Sequence, residues 1–247
     1  MSVVLDDMLR FLRHLSILAF FILLYALSCT EENRQTINFS SIGHNYYPDS
    51  TGNWIVYEVE QIIIDAPSAR FDTTHFFIKE VIAEKYYDAE NRPTIRIERY
   101  YKENPNGNWK ILDVWAANKL NTSLQIVEEN IRYIKLVFPP ALYKRWDGNA
   151  FNMLDSLHNE YYEITQIDLP EEINNISFDS VLHVTQRNEE SLIHKEYAVE
   201  KYAKNTGLVY KKDISIYSDS IIPGVSVEER VQTGTFYTQI IVEFYVQ

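Results

Sequence analysis

From Trp54 onward the chain alternates between apolar and polar positions. The run WIVYEVEQIII, residues 54–64, sets Ile55, Tyr57, Val59 and Ile63 on one side of a strand and Glu58 and Glu60 on the other. Further strands are predicted at 76–83, 94–101, 109–115, 131–138, 161–167, 177–186, 192–202, 208–217 and 235–246. In 109–115, Trp109, Ile111, Asp113 and Trp115 share one face, with Leu112 and Val114 on the other. Asn106-Gly107 predicts a two-residue type I′ hairpin, because both residues tolerate positive φ. Pro139-Pro140 stops the strand before it. Short links imply antiparallel neighbours. The reading is mainly β: a single antiparallel domain of about ten strands over 46–247, as a curved sheet, half-barrel, barrel or sandwich. A short helical or loop insertion is placed near 141–158. Glu58, Glu60, Lys79, Arg96, Glu98, Glu196 and Glu200 are read as a polar second face, which argues against a membrane-spanning barrel.

The N-terminal pattern is different. Leu15–Leu27 is a thirteen-residue apolar run, shorter than the ~20 residues a spanning helix needs. It is preceded by Arg10, Arg13 and His14, as in a secretion signal, with a buried helix or a true membrane anchor as the alternatives. Asp6 and Asp7 suit a signal poorly, so translation starts at either Met1 or Met8. Ala26, Leu27 and Ser28 lead directly to Cys29, the sole cysteine. This resembles a bacterial lipoprotein signal, although Ala26 stands where a typical lipobox has Leu. The resemblance implies cleavage between Ser28 and Cys29 and lipidation of Cys29, against the alternative of a free thiol. Thr30-Glu31-Glu32 resembles the surface-export signal of Bacteroidota lipoproteins. The organisation is therefore a signal peptide at 1–28, a polar tether at 29–45 and the β domain at 46–247.

The full chain of 247 residues carries a net charge of −12. The segment 1–28 holds two acids and two bases, so its removal leaves that charge unchanged. No Lys/Arg cluster matches a phosphate backbone, so nucleic acid is not an expected partner. No second cysteine exists to form an internal disulfide, and stability must come from a core.

Three stretches resemble an uncharacterised family of Bacteroidota secreted lipoproteins. Asn45–Tyr57 matches its "YYP…G.W..Y" opening. Phe138-Pro139 with Trp146–Asn152 matches "FP…W.GNAFN". Tyr202–Lys211 matches "YA.N.GLVYK". The resemblance implies a secreted, lipidated β protein and supplies no catalytic residues. Read physically, Gly52, Asp147-Gly148-Asn149 and Asn205 with Gly207 are turn formers.

The sequence carries no catalytic motif. His44, His75, His158, His183 and His194 form no HExxH motif; His183 and His194 fall on neighbouring predicted strands. No metal site and no cofactor is expected. The acid pairs Glu128-Glu129, Glu171-Glu172, Glu189-Glu190 and Glu228-Glu229 read as solvated charge, and nothing recommends Asp113 or Glu98 as a glycosidase carboxylate. Asp-Ser/Thr steps at Ser50, Thr73, Ser156, Ser180 and Ser220 resemble the O-glycosylation acceptors of Bacteroidota secreted proteins.

The expected function is a non-enzymatic, lipid-anchored lipoprotein of the cell envelope, at the outer membrane and on either its periplasmic or its surface face. It binds or scaffolds an envelope partner. The alternative is a carrier of a hydrophobic small molecule in a half-barrel cavity, suggested by 18 Tyr, 12 Phe and 4 Trp. A carrier requires an apolar cavity of several hundred Å³. A scaffold requires a filled interior and exposed apolar surface. An enzyme requires a cleft of converging, perturbed groups.

Overall fold

The structure is a computed structural model that describes residues 42–152 and 161–247. The segments expected to be a signal peptide and most of a tether, with Ser28 and Cys29, lie outside the described residues, as do Ser156 and His158. Twelve strands form one antiparallel sheet: β1 (Trp54–Asp65), β2 (Arg70–Tyr87), β3 (Pro93–Lys102), β4 (Lys110–Lys119), β5 (Ser123–Glu128), β6 (Ile131–Val137), β7 (Arg145–Asp147), β8 (Tyr161–Ile173), β9 (Ile176–Glu190), β10 (His194–Ala203), β11 (Gly207–Tyr217) and β12 (Thr233–Tyr245). Their order is β6-β5-β4-β3-β2-β1-β12-β11-β10-β9-β8-β7. Each strand lies beside its sequence neighbour except at the centre, where β1 pairs with β12. The expectation of an antiparallel barrel or half-barrel holds, with two more strands than the alternation revealed. These are β5, which is six residues long, and β7, which is three.

The last pair of edges is joined by the segment around β7, so the sheet is nearly closed into a barrel. The amide of Ile134 in β6 donates to the Gly148 carbonyl at 2.8 Å. The Trp146 indole donates to the Ile134 carbonyl at 2.7 Å, and the Asn152 amide to the Arg132 carbonyl at 2.8 Å. Gly148 is needed here because a Cβ would overlap the Tyr162 ring. The insertion expected near 141–158 is this seam; its described part holds β7 and turns rather than a helix.

The hairpins differ from expectation in one place. Asn106 and Gly107 do not take positive φ, and the β3–β4 link runs over seven residues between Lys102 and Lys110. Two-residue turns with both φ positive occur instead at Glu129-Asn130 (52° and 67°) and Asn174-Asn175 (52° and 60°). Gly52 and Gly207 do adopt positive φ, at 94° and 106°, as their positions required.

Among the described residues the core falls into three clusters, one on Tyr57, Val59, Ile78 and Ile241, a small one on Ile214, Ile216 and Val227, and the largest holding Phe138 and Trp146. Ile95, Ile97, Ala117, Leu124, Leu136, Tyr162, Ile164 and Leu182 pack there around Tyr46, which the short turn His44–Tyr46 pushes in as a plug. Full burial of each large aliphatic side chain contributes about 1.5–3 kcal/mol. The tip of the β8–β9 hairpin bends across the sheet to β12. Asn174 donates to the Ile241 carbonyl at 2.9 Å, and the Phe178 and Phe244 rings lie 6.3 Å apart.

Candidate functional site

Directly beyond the apolar layer, the inward face turns charged. In β2 the inward series Ile78, Glu80, Ile82 places a carboxylate at an apolar period, and in β3 the series Ile95, Ile97, Arg99 places a guanidinium. Register sets Arg99 between Glu80 and Asp113 of β4. Its Nε donates to Glu80 Oε1 at 3.0 Å and its Nη1 to Asp113 Oδ2 at 2.8 Å. The guanidinium also stacks over the Trp115 ring, 3.6 Å from the centroid.

Across the interior lies a second knot. Lys135 of β6 reaches Glu128 Oε1 at 2.8 Å and Glu200 Oε1 at 2.9 Å. A bulge between Leu124 and Gln125 shifts the β5–β6 register beside it. Tyr202 donates to Glu200 Oε2 at 2.6 Å, and Lys211 stands 3.7 Å from Glu200 and 3.8 Å from Glu128. Tyr237 donates to Gln239 at 2.7 Å. Four carboxylates thus meet three cations within one layer.

Burial alone would neutralise these groups, and the pairing opposes it. Burial pushes Glu200 up, but Lys135 and Lys211 outweigh it and hold its carboxyl below the usual range. Burial pushes Lys135 down, but Glu128 and Glu200 raise it well above an ordinary lysine. Glu80 and Asp113 stay raised, because desolvation exceeds what Arg99 returns. Burial, then Glu200, raises the Tyr202 phenol.

The space left among these side chains is small. A cavity of about 50 Å³ is bordered by Tyr47, Trp115, Glu128, Lys135, Glu200 and Lys211, among others. That admits a few waters and falls far below the ~300–1,000 Å³ of small-molecule sites. A neighbouring cavity of about 40 Å³, beside Tyr47, Trp54 and Leu208, is equally small.

Several sequence expectations change here. Glu200 and Glu196 are not on a solvated face: Glu200 is wholly buried inside the barrel, and Glu196 accepts from the inward Ser215 at 2.5 Å. The bulges beside β10 put their extra residues, Gln186 and Val209, in β9 and β11, so β10 itself alternates and turns Glu196, Glu200 and Tyr202 to one side. Glu128 likewise belongs to the interior layer rather than to solvated loop charge. Asp113 faces inward against Arg99, whereas Glu98 lies outside with Arg96 and Tyr100. Glu58, Glu60, Lys79 and Arg96 do lie on the outer face.

His183 and His194 are not brought together. His183 pairs with Lys201 and bonds Glu171 at 2.6 Å, whereas His194 pairs with Tyr217. Among the described residues no group of His, Cys, Asp and Glu is arranged to hold a metal ion. Of the hydroxyls read as glycosylation acceptors, Ser50 and Thr73 are exposed. Ser180 donates to Asp168 at 2.7 Å in a cluster with Tyr46 and Lys204. Ser220 is half-buried and its carbonyl accepts from Arg230.

The three motif stretches converge on this architecture. Tyr46 plugs the core and Tyr47 borders the cavity. Trp146, Gly148 and Asn152 make the seam, and Tyr202 and Lys211 belong to the charged layer. The residues that sequence reading missed, Glu80, Arg99, Lys135 and Lys211, carried one usable signal. Glu80 and Arg99 sit in phase with apolar positions, which in a strand means an inward charge seeking a partner.

No protein-family model matches the chain, and no curated protein matches it. Among solved structures the chain is similar to a Bacteroides fragilis protein described as exported and of YmcC-like fold. The likeness has a TM-score of 0.39 at 10% identity and covers 81% of this chain and 98% of that one. A likeness of that order carries no functional argument.

Proposed function

We propose that this protein is a non-enzymatic, lipid-anchored module of the cell envelope that binds its partner with the outside of a filled barrel. The observation that carries this reading is the interior. The space a carrier would need holds the network of Lys135, Glu128, Glu200, Lys211 and Tyr202, with room for about 50 Å³. A charged wall disfavours an apolar ligand, since burying such groups without their partners costs several kcal/mol. The acids and bases there are largely tied up with one another, and among the described residues of this layer no nucleophile stands beside a free base, which disfavours catalysis. The anchoring half of the proposal rests on Cys29 after the apolar run 15–27.

Two assays test it. Metabolic labelling with an alkyne fatty acid should mark the wild-type chain and leave Cys29→Ala unmarked and unanchored; equal labelling of both would overturn the anchor. An apolar fluorescent probe should gain no saturable signal with the protein; stoichiometric uptake would overturn the filled interior and restore the carrier.

A further inference from the structure

Several strand segments of the sheet are paired on one side only, among them Arg70–Phe76 of β2 and the first part of β4. β4 pairs with β3 from Lys110 to Ala117, but with β5 only from Ala116 to Lys119. From Lys110 to Trp115 it therefore has a strand on one side only, and among the described residues no backbone hydrogen bond from a loop covers the other. Natural proteins blunt such edges with charges, prolines or covering loops, because a row of open N–H and C=O groups templates another strand. Here the edge carries Ile111, Leu112 and Val114, which are 64%, 46% and 52% exposed.

The same stretch holds polar atoms with no partner. Asp113 Oδ1 and the Trp115 Nε1 hydrogen are buried and unbonded, although Asp113 Oδ2 is held by Arg99. A buried carboxylate oxygen without a donor is destabilising, and an incoming cation would satisfy it. The chain's net charge of −12 favours a basic arrival and opposes a second copy of itself.

We propose that the free edge of β4, Lys110–Trp115, is a docking strip for an extended polypeptide of alternating apolar and basic residues. Such a segment extends the sheet by main-chain hydrogen bonds, lays its apolar side chains on Leu112 and Val114, and delivers a Lys or Arg to Asp113. This rests on the surface-binding reading above and names its surface and partner class.

The test uses the full chain in detergent and amide hydrogen exchange. The probes are a peptide of about ten residues alternating valine and lysine, and its valine–glutamate counterpart. The basic peptide should slow exchange at 111–115 and the acidic one should not. Asp113→Asn should weaken the basic peptide by about tenfold or more. Val114→Lys, at an exposed site that tolerates it, should weaken it as well. Protection by neither peptide, equal protection by both, or protection that grows with protein concentration alone would overturn the proposal, the last in favour of self-pairing. A ligand found inside the barrel would sink the surface-binding reading yet leave the exchange result standing. Absent edge protection with an empty interior sinks only the docking strip.

Discussion

Lys135 and Glu200 meet 2.9 Å apart in the barrel interior, both almost wholly buried and 65 positions distant in sequence. Such a pair contributes little net stability, because desolvation offsets most of the attraction, but removing one member leaves the other exposed to the full penalty. Lys135→Met should therefore destabilise by about 3–5 kcal/mol. Lys135→Met with Glu200→Gln should lose less than the sum of the two single changes. Denaturant midpoints over the four-member cycle measure this coupling.

The Asp168 cluster at the β8–β9 hairpin should be acid-sensitive. Asp168 accepts from Tyr46 and Ser180 and pairs with Lys204. Burial pushes this carboxyl up, but Lys204, Tyr46 and Ser180 outweigh it and lower it to about 2. A depressed carboxylate contributes stability above its unfolded value, near 3.9, and loses it as pH falls through the folded value. Exchange of the β8–β9 hairpin amides should accelerate between pH ~4 and ~2 in the wild type. Asp168→Asn should remove that acid-dependent component.

Gly148 should not tolerate a side chain. A methyl group there overlaps the Tyr162 ring, and the Gly148 carbonyl anchors Ile134 across the seam. Gly148→Ala is expected to cost about 1–3 kcal/mol, read as a lowered unfolding midpoint.

Trp146→Phe keeps the ring in the core and deletes the donor to the Ile134 carbonyl. A loss of about 1–2 kcal/mol is expected. The amides of β6 should exchange faster than those of β3, which is held on both sides, so a uniform change would contradict the seam.

How much of this was legible in the sequence depends on the length and regularity of each strand. β1 and β3 alternate for ten residues or more and are readable directly. β5 reads SLQIVE and is buried on most positions, so no alternation marks it, and β7 is too short to show a period. The charged layer was hidden for a different reason. A glutamate flanked by valine and lysine, as Glu200 is, looks solvated in one dimension. Its inward place shows only with its partners, which come from β6 and β11. Glu80 and Arg99 were nearer to legible, being in phase with the isoleucines around them. The turn at Asn106-Gly107 failed as a predictor because the flanking strands stop short of it. Asn174-Asn175 worked as a turn without the glycine that usually announces one.

The most direct test of the filled interior is the native mass spectrum of the full-length protein purified from its own envelope in mild detergent. The expected spectrum shows the mass of the chain with its covalent modifications and nothing that organic solvent removes. A reproducible extra mass, lost on solvent extraction and restored by adding the extract back, would contradict it and make the barrel a carrier.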